Sequence, residues 1–526
     1  MRIGVDVGGT NTDAVLLNGK RIVSSTKAAT TVDVTTGIVQ AIREVLRKAT
    51  LLPGDVKSVM IGTTHFTNAF VEGKRLLEVG IIRIAAPATL SLLPLIGWPK
   101  ELGNAIGRHV YLVPGGYDYD GREIAAFDEA AVREAVLDIR RKGLRAVAIT
   151  SVFSSVNADM ETAAAAIVGE LMPEAHVTLS HEIGRVGLLE RENAAIMNAA
   201  LSDLSSQVIK SFRKALSDLG VHAAFFISQN DGTLMAADVV ERFPVLTIAS
   251  GPTNSMRGAA FLTEKTDAII VDIGGTTADV GALTNGFPRE SSVAVNIGGV
   301  RTNFRMPDIL AIGVGGGSII REAGPENRRT SIGGRVTIGP DSVGYELTEK
   351  ALVFGGTSLT LTDIAVAAGV ISIGEPAKVA HLDKAFVADA LEEMHCRLDD
   401  AIDRMKTSFE SVPVILVGGG SALVKRALAG ASEMVVPENA GVANAIGAAI
   451  AQVSGELDRV YNFDTCARDV ALSDARDIAF ARAREAGARD NIRVLDVEEV
   501  PLAYLPGGAV RIRVKVVGDL PVELGA

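Results

Sequence analysis

The chain has 526 residues, 48% of them apolar, with 63 acidic against 52 basic side chains and a formal net charge of −11. That length predicts two to four domains rather than one core, and an acidic balance with no basic stripe argues against a nucleic-acid partner. Two cysteines, Cys396 and Cys466, lack metal-ligand spacing and argue against a disulfide scaffold or an iron–sulfur site. With no apolar run of membrane-spanning length and no signal peptide ahead of Ile3, the chain reads as cytoplasmic, with no membrane partner.

In chain order, the apolar run Ile3-Gly4-Val5 leads into Asp6-Val-Gly-Gly-Thr-Asn-Thr-Asp13, then a second apolar run and the turn Asn18-Gly19. Strand, glycine-rich turn, strand and Asn-Gly hairpin form one supersecondary unit. A helical pattern over 37–48 and a strand at 59–61 follow, and then the polar loop Gly62-Thr-Thr-His-Phe-Thr-Asn68. Thr64 and His65 there could grip a phosphoryl group or orient a carbonyl; a hydroxyl-rich turn is the alternative. Helical patterns at 129–142 and 190–218 alternate with strands at 146–149 and 223–227, which predicts α/β architecture with mixed sheets. The charge run from Glu190 to Asn193 is ordinarily a solvated helix start. Asn230-Asp231-Gly232 is a turn signal first and a site candidate second.

The opening unit then recurs 266 residues on, as Ala268-Ile-Ile-Val271, Asp272-Ile-Gly-Gly-Thr-Thr-Ala-Asp279 and Asn285-Gly286. Two such units facing each other could clamp a polyphosphate and its metal from both sides. Gly8, Gly9, Gly274 and Gly275 let backbone amides approach phosphate oxygens with no Cβ in the way. Thr10 and Thr276 can donate to the same oxygens, with Asn11, Thr12 and Thr277 in the same loops. Asp6 and Asp272 are placed to hold Mg²⁺ through its water shell; Asp13 and Asp279 are candidates for a second metal shell or for orienting a nucleophile. Beyond a glycine triad at Gly315-Gly316-Gly317 and a helix at 384–408, Pro413-Val-Ile-Leu-Val runs into Gly418-Gly419-Gly420-Ser421. Position favours this later triad for a nucleoside and leaves the earlier one open. The tail predicts a helix over 474–486, capped by Ser473, and strands at 492–497 and 508–517.

These elements resemble the actin-like ATPase superfamily, which carries two phosphate loops, a later adenosine loop and two small-residue connecting helices in fixed order. Gly418 to Ser421 match the adenosine loop, while Ser250-Gly-Pro-Thr-Asn-Ser-Met-Arg-Gly-Ala-Ala260 and Gly441-Val-Ala-Asn-Ala-Ile-Gly-Ala-Ala-Ile450 match the helices. The resemblance implies two duplicated lobes with mixed sheets around a nucleotide cleft, at 1–180 and 181–455, with a small C-terminal α/β appendage at 456–526. Within the superfamily, Asp6 to Asp13, Gly62 to Ala69, Arg191-Glu-Asn-Ala-Ala-Ile-Met-Asn-Ala199, Ser228-Gln-Asn-Asp-Gly-Thr-Leu234, Ser250-Gly-Pro252, Asp272 to Asp279 and Ile312-Gly-Val-Gly-Gly-Gly-Ser318 are similar to the ATP-binding A-type subunit of the hydantoinase/oxoprolinase family.

That likeness implies ATP and Mg²⁺ as cofactors and opening of a cyclic amide by phosphorylation of its oxygen. The related carboxylation of a ketone, a small-molecule kinase and a nucleotide-dependent regulatory ATPase are the alternatives. A B-type companion subunit is implied, a homo-oligomer stays open, and the match over 191–199 makes Arg191 and Asn193 candidates for facing the cleft. The chain is shorter than typical A-type subunits, and Gly339-Pro-Asp-Ser-Val-Gly344 begins like a family motif but lacks its usual continuation.

Overall fold

The computed structural model describes residues 1–8, 11–29, 34–291, 294–323, 336–502 and 508–520. Strand Arg2–Val7 pairs antiparallel with Asn11–Asn18 and parallel with Ser58–Thr63, which sets Asp6 opposite both Asp13 and Gly62. Strand Ala268–Ile273 repeats the pattern: antiparallel to Ala278–Thr284, parallel to Val412–Val417, with Asp272 opposite both Asp279 and Val417. The duplication seen in the sequence is therefore also one of strand register. Both leading strands are almost wholly buried, which is why they read as near-continuous apolar runs rather than alternating ones. The hairpin turns use positive φ at Gly19 (+59°), Asn285 (+53°) and Gly286 (+77°), the geometry that Asn and Gly tolerate best.

Around each hairpin a sheet is assembled. The first has nine strands, in the order Asp490–Pro501, Ala509–Asp519, Val453–Asn462, Leu234–Ala236, Ala224–Ser228, Ser58–Thr63, Arg2–Val7, Asn11–Asn18 and Arg21–Ala29. The strands of the C-terminal tail thus extend the sheet of the first hairpin, joined where Leu234 pairs with Val453. The second sheet runs Phe287–Pro288, Ala278–Thr284, Ala268–Ile273, Val412–Val417 and Ala431–Val435, with Ile309–Ile312 also on Ala278–Thr284. Between strand Ser58–Thr63 and the long helix Leu188–Asp218, the chain builds a four-stranded parallel sheet, His109–Pro114, Val79–Ala86, Ala146–Ser151 and His176–Leu179.

The tail helix runs Arg468–Glu485, so Ser473 lies inside it and not at its N-cap. Burial decides the start: Ala471, Leu472, Ala475, Ala479 and Ala483 form one stripe packed on the tail strands, and its spacing begins ahead of the serine.

Helices Ser250–Thr263 and Ala443–Ile450 pack backbone to backbone between the two sheets. A Cβ on Gly258 would stand 1.8 Å from the Ala443 carbonyl oxygen, and one on Gly447 would stand 1.8 Å from that of Asn254. Gly4, on the first strand, is equally confined, 2.1 Å from the Ala445 oxygen. Gly447→Ala is expected to lower unfolding stability in urea by about 1–3 kcal/mol, because a backbone must move. Gly169→Ala, in a helix where a Cβ meets nothing within 4 Å, is expected to be neutral or to stabilise by up to ~1 kcal/mol.

Candidate functional site

The two hairpins face a cleft of about 510 Å³, and all four motif carboxylates, Asp6, Asp13, Asp272 and Asp279, line it. Each glycine turn closes with the same bond: Gly8 N–H donates to the Asn11 oxygen (3.0 Å) and Gly274 N–H to the Thr277 oxygen (2.9 Å). Asn11, Thr276, Thr277, Gly274 and Gly275 line the cleft. Thr12 is buried within its strand, and Gly9 and Thr10 lie outside the described residues.

The small-residue helices supply the partners of the leading aspartates. Asp6 accepts from Asn444 Nδ2 (2.8 Å) and Asn254 Nδ2 (3.4 Å), and Asp272 from Ser255 Oγ (2.5 Å). Two glycines leave room for the carboxylates: a Cβ on Gly62 would come 2.4 Å from Asp6 Oδ1, and one on Gly418 would come 2.2 Å from Asp272 Oδ1. Asp13 accepts from Lys27 Nζ at 2.7 Å, while no hydrogen bond closes on its buried Oδ1. Burial raises all four carboxyls. Asp6 is pushed up to about 7 by burial and then by Asp13, and Asp279 to about 7 by burial and then by Asp272. Lys27 opposes the rise at Asp13, and Ser255 opposes it at Asp272.

The triad Gly315–Gly317 backs the second glycine turn. Gly316 N–H donates to the Gly274 oxygen (3.0 Å) and Gly317 N–H to the Gly275 oxygen (2.6 Å), and a Cβ on Gly315 would come 2.6 Å from the Thr276 backbone. Ser342, in the segment 339–344 whose motif is incomplete, reaches the Gly275 oxygen from the other side (3.4 Å). Gly418, Gly419 and Gly420 line the cleft directly, and Leu347, Ile371, Ile373 and Leu423 give it an apolar wall. Ser421 is buried and is not part of the described lining.

Thr64 lines the cleft and its hydroxyl donates to the Val7 oxygen (3.4 Å). His65 opens helix His65–Val71 with Nδ1 3.3 Å from Thr63 Oγ1, outside the described lining. Arg191 and Asn193 are buried away from that lining. Arg191 donates to Ser180 Oγ (3.0 Å) and the Ser151 oxygen (2.6 Å). Asn193 accepts from Trp98 Nε1 and donates to the Arg301 oxygen, both at 2.8 Å. Asn230 donates to the Arg305 oxygen (2.5 Å), and Asp231 pairs with Lys515 (2.8 Å) and Arg305 (3.3 Å). Asn193, Asn230 and Asp231 hold a segment, 294–308, that leads into the second sheet and lies across the first half of the chain. Asn254, Ser255, Asn444, Lys27 and Thr362, all lining the cleft or bound to its acids, were not singled out from the sequence. For Asn444 the available signal was a lone polar residue inside an otherwise small and apolar helix.

Models of the hydantoinase/oxoprolinase N-terminal region and of the hydantoinase/oxoprolinase proper match residues 2–172 and 191–375, together more than half the chain. The chain belongs to the hydantoinase/oxoprolinase family. It is 27% identical to caprolactamase subunit alpha of Pseudomonas jessenii over 394 residues, 71% of this chain and 55% of that protein. It is 26% identical to the acetophenone carboxylase gamma subunit of Aromatoleum aromaticum over 409 residues, 70% of this chain and 53% of that one. It therefore spans about half the length of these curated relatives.

Among solved structures, the ATP-dependent caprolactamase of Pseudomonas jessenii matches with a TM-score of 0.79 at 19% identity, over 99% of this chain and 89% of that chain. Nucleotide-free acetone carboxylase matches with 0.69 at 17%, over 99% and 88%. The fold is that of the actin-like ATPases. Among the described residues no helix is long and apolar enough to cross a membrane.

Folded Asp6 and Asp279 hold their protons up to about pH 7, against a usual carboxylate value near 3.8. Between those values the folded state binds more protons than the unfolded one, so stability falls as pH rises from about 4 to about 7 and levels above. Urea unfolding of the metal-free protein at pH 5.5 and 8 is expected to show this loss, and Asp279→Asn is expected to remove part of it. Asn193→Ala leaves a buried indole N–H and a carbonyl unpaired; it is expected to cost about 1–3 kcal/mol in the same assay while leaving nucleotide affinity unchanged.

Proposed function

We propose that the chain is the ATP-using subunit of an enzyme that opens a cyclic amide by phosphorylating the amide oxygen. The observation that carries this reading is a pair of glycine hairpins facing one cleft, with Asp6 and Asp272 each held by a side chain from the central helices. The glycine turns would hold the phosphates and the apolar wall at Leu347, Ile371, Ile373 and Leu423 the base. Mg²⁺ suits the acids present. Among the described residues no three acidic, His or Cys side chains form a cage, and this ion characteristically takes one or two carboxylates and completes its shell with water and phosphate. Asp6 and Asp272 would hold it, Asp13 lines the same cleft, and the ion would neutralise phosphate charge.

Amide nitrogen is a poor leaving group, and resonance makes the carbonyl a poor electrophile. In the first step the amide oxygen forms a bond to the γ-phosphorus while the bond to the β,γ-bridging oxygen breaks, and ADP leaves with that electron pair. Resonance is then lost, a first water adds to the carbon, the C–N bond breaks with proton transfer to nitrogen to leave an acyl phosphate, and a second water cleaves that acyl phosphate to the carboxylate and free phosphate. The protein's part in the first step is positioning and charge neutralisation. Likeness to an acetophenone carboxylase subunit supports a ketone oxygen as the second reading. The word subunit in both relatives' names supports a companion chain that completes the reaction.

Phosphate release from MgATP by the purified chain, alone and against hydantoins, 5-oxoproline, lactams and ketones, tests the reading. One compound class is expected to stimulate release, and Asp6→Asn and Asp272→Asn are each expected to lower that rate by about a hundredfold or more. Turnover unchanged in Asp272→Asn would sink the two-loop site.

A further inference from the structure

Lys27 stands directly across the hairpin from Asp13, on strand Arg21–Ala29, and its ammonium reaches the carboxylate at 2.7 Å. The pair is lopsided: the Asp13 side chain is 3% exposed and that of Lys27 is 39% exposed. The carboxylate is thus fixed in the wall, and the cation projects from it on a four-carbon stem. Lys27 lines the same cleft as both glycine turns and is the only Lys or Arg among the described lining residues, which include four aspartates. Its field extends to the opposite lobe, where it opposes the upward shift of Asp272. A bound triphosphate brings several negative charges into a cleft already acidic. Backbone amides and a metal ion meet part of that charge, and Lys27 is the one side chain of opposite sign within the described wall.

We infer that Lys27 is a catalytic residue, tethered by Asp13 so that its ammonium contacts the phosphoryl group as it is transferred. The inference rests on the phosphoryl-transfer reading above. An ammonium carries three donors; one remains on Asp13, which therefore stays paired, and the others are free to turn toward the non-bridging oxygens. Asp13 is then a positioning residue. Lys27 makes and breaks no covalent bond: the acceptor oxygen gains the phosphorus, ADP keeps the electron pair of the broken bond, and Lys27 meets charge on the phosphoryl oxygens. A cation preset beside the place where charge develops stabilises the transition state more than the ground state. A plain counter-ion for buried Asp13 would instead act on folding alone.

Calorimetric binding of MgADP to the full chain, with and without aluminium fluoride as a mimic of the phosphoryl group in flight, separates these roles and needs no turnover. In the wild type, aluminium fluoride is expected to tighten MgADP binding. In Lys27→Met, MgADP affinity is expected to stay within about threefold while the tightening falls by about a hundredfold; Lys27→Arg is expected to recover part of it. The double variant Lys27→Met/Asp13→Asn removes the unpaired buried charge and is expected to remain deficient in tightening. Tightening retained in Lys27→Met, or restored in the double variant, would overturn the role of Lys27 and leave the nucleotide site intact. A wild type that does not bind MgADP, or binds it with no tightening, would instead overturn the phosphoryl-transfer reading itself, and this inference with it.

Discussion

The two small-residue helices touch where no side chain can stand. Gly258 against Ala443 and Gly447 against Asn254 bring main chain to main chain, and the rest of the cleft follows from that approach. The helices carry Asn254, Ser255 and Asn444, whose side chains end on Asp6 and Asp272. A larger residue at either contact would separate the helices and carry the amides and hydroxyl away from the acids. The same close packing fixes helix Ala443–Ile450 on Gly4, two residues ahead of Asp6. Interlobe packing and acid placement are therefore one structural problem with one solution, and small residues serve both.

A second connection lies away from the cleft. Residues 289–291 and 294–308 lie between Phe287–Pro288 and Ile309–Ile312 of the second sheet, and 294–308 are held on the first half by Asn193, Asn230, Asp231 and Asn303, largely through backbone carbonyls. Strand Ala509–Asp519 joins the same place through Arg513 and Lys515, which both pair with Glu290. Burial pushes the Glu290 carboxyl up, but Arg305, Lys515, Arg513 and Arg185 outweigh it and hold the group well below the usual carboxylate range. Breaking such a buried network by removing one partner leaves a charge uncompensated, at a cost of about 3–5 kcal/mol. Relative motion of the two halves must therefore respect two fastenings, the helix pair and this strap.

What the sequence made legible was whatever is contiguous. The Asp-x-Gly-Gly-Thr-x-x-Asp loops hold their chemistry within eight residues, so a repeat at long spacing exposed both hairpins and, through them, the actin-like architecture. The small-residue helices were legible by composition. Pairings were not. Asn444 and Asp6 are 438 positions apart, and nothing local to either names the other. Arg191, Asn193 and Asp231 read as site candidates from the sequence; in the structure all three are buried, Arg191 satisfying the Ser151 carbonyl, Asn193 a carbonyl of the strap, and Asp231 the charges of Arg305 and Lys515. Polarity in sequence does not separate a group that meets a ligand from one that meets its own main chain, since both must be hydrogen-bonded once buried. The glycine triad at 315–317 illustrates the same limit: Gly315 and Gly317 are confined by a neighbouring backbone, Gly275 to Thr276, while Gly316 lines the cleft.

Duplication gives the cleft a symmetric frame, and the neighbours of the two loops then make it chemically unsymmetric. On the first hairpin the trailing aspartate, Asp13, has a cation beside it. On the second, Asp279 has no pairing cation among the described residues, and burial with Asp272 lifts it to about 7. The apolar wall at Leu347, Ile371, Ile373 and Leu423 belongs to the second half of the chain, and Lys27 to the first. A nucleotide laid between the hairpins under the proposed reading would then have its base toward the second half and its terminal phosphate toward Lys27. The repeated motif supplies the grip, which either copy could give, whereas the direction of transfer is set by residues that the repeat does not share.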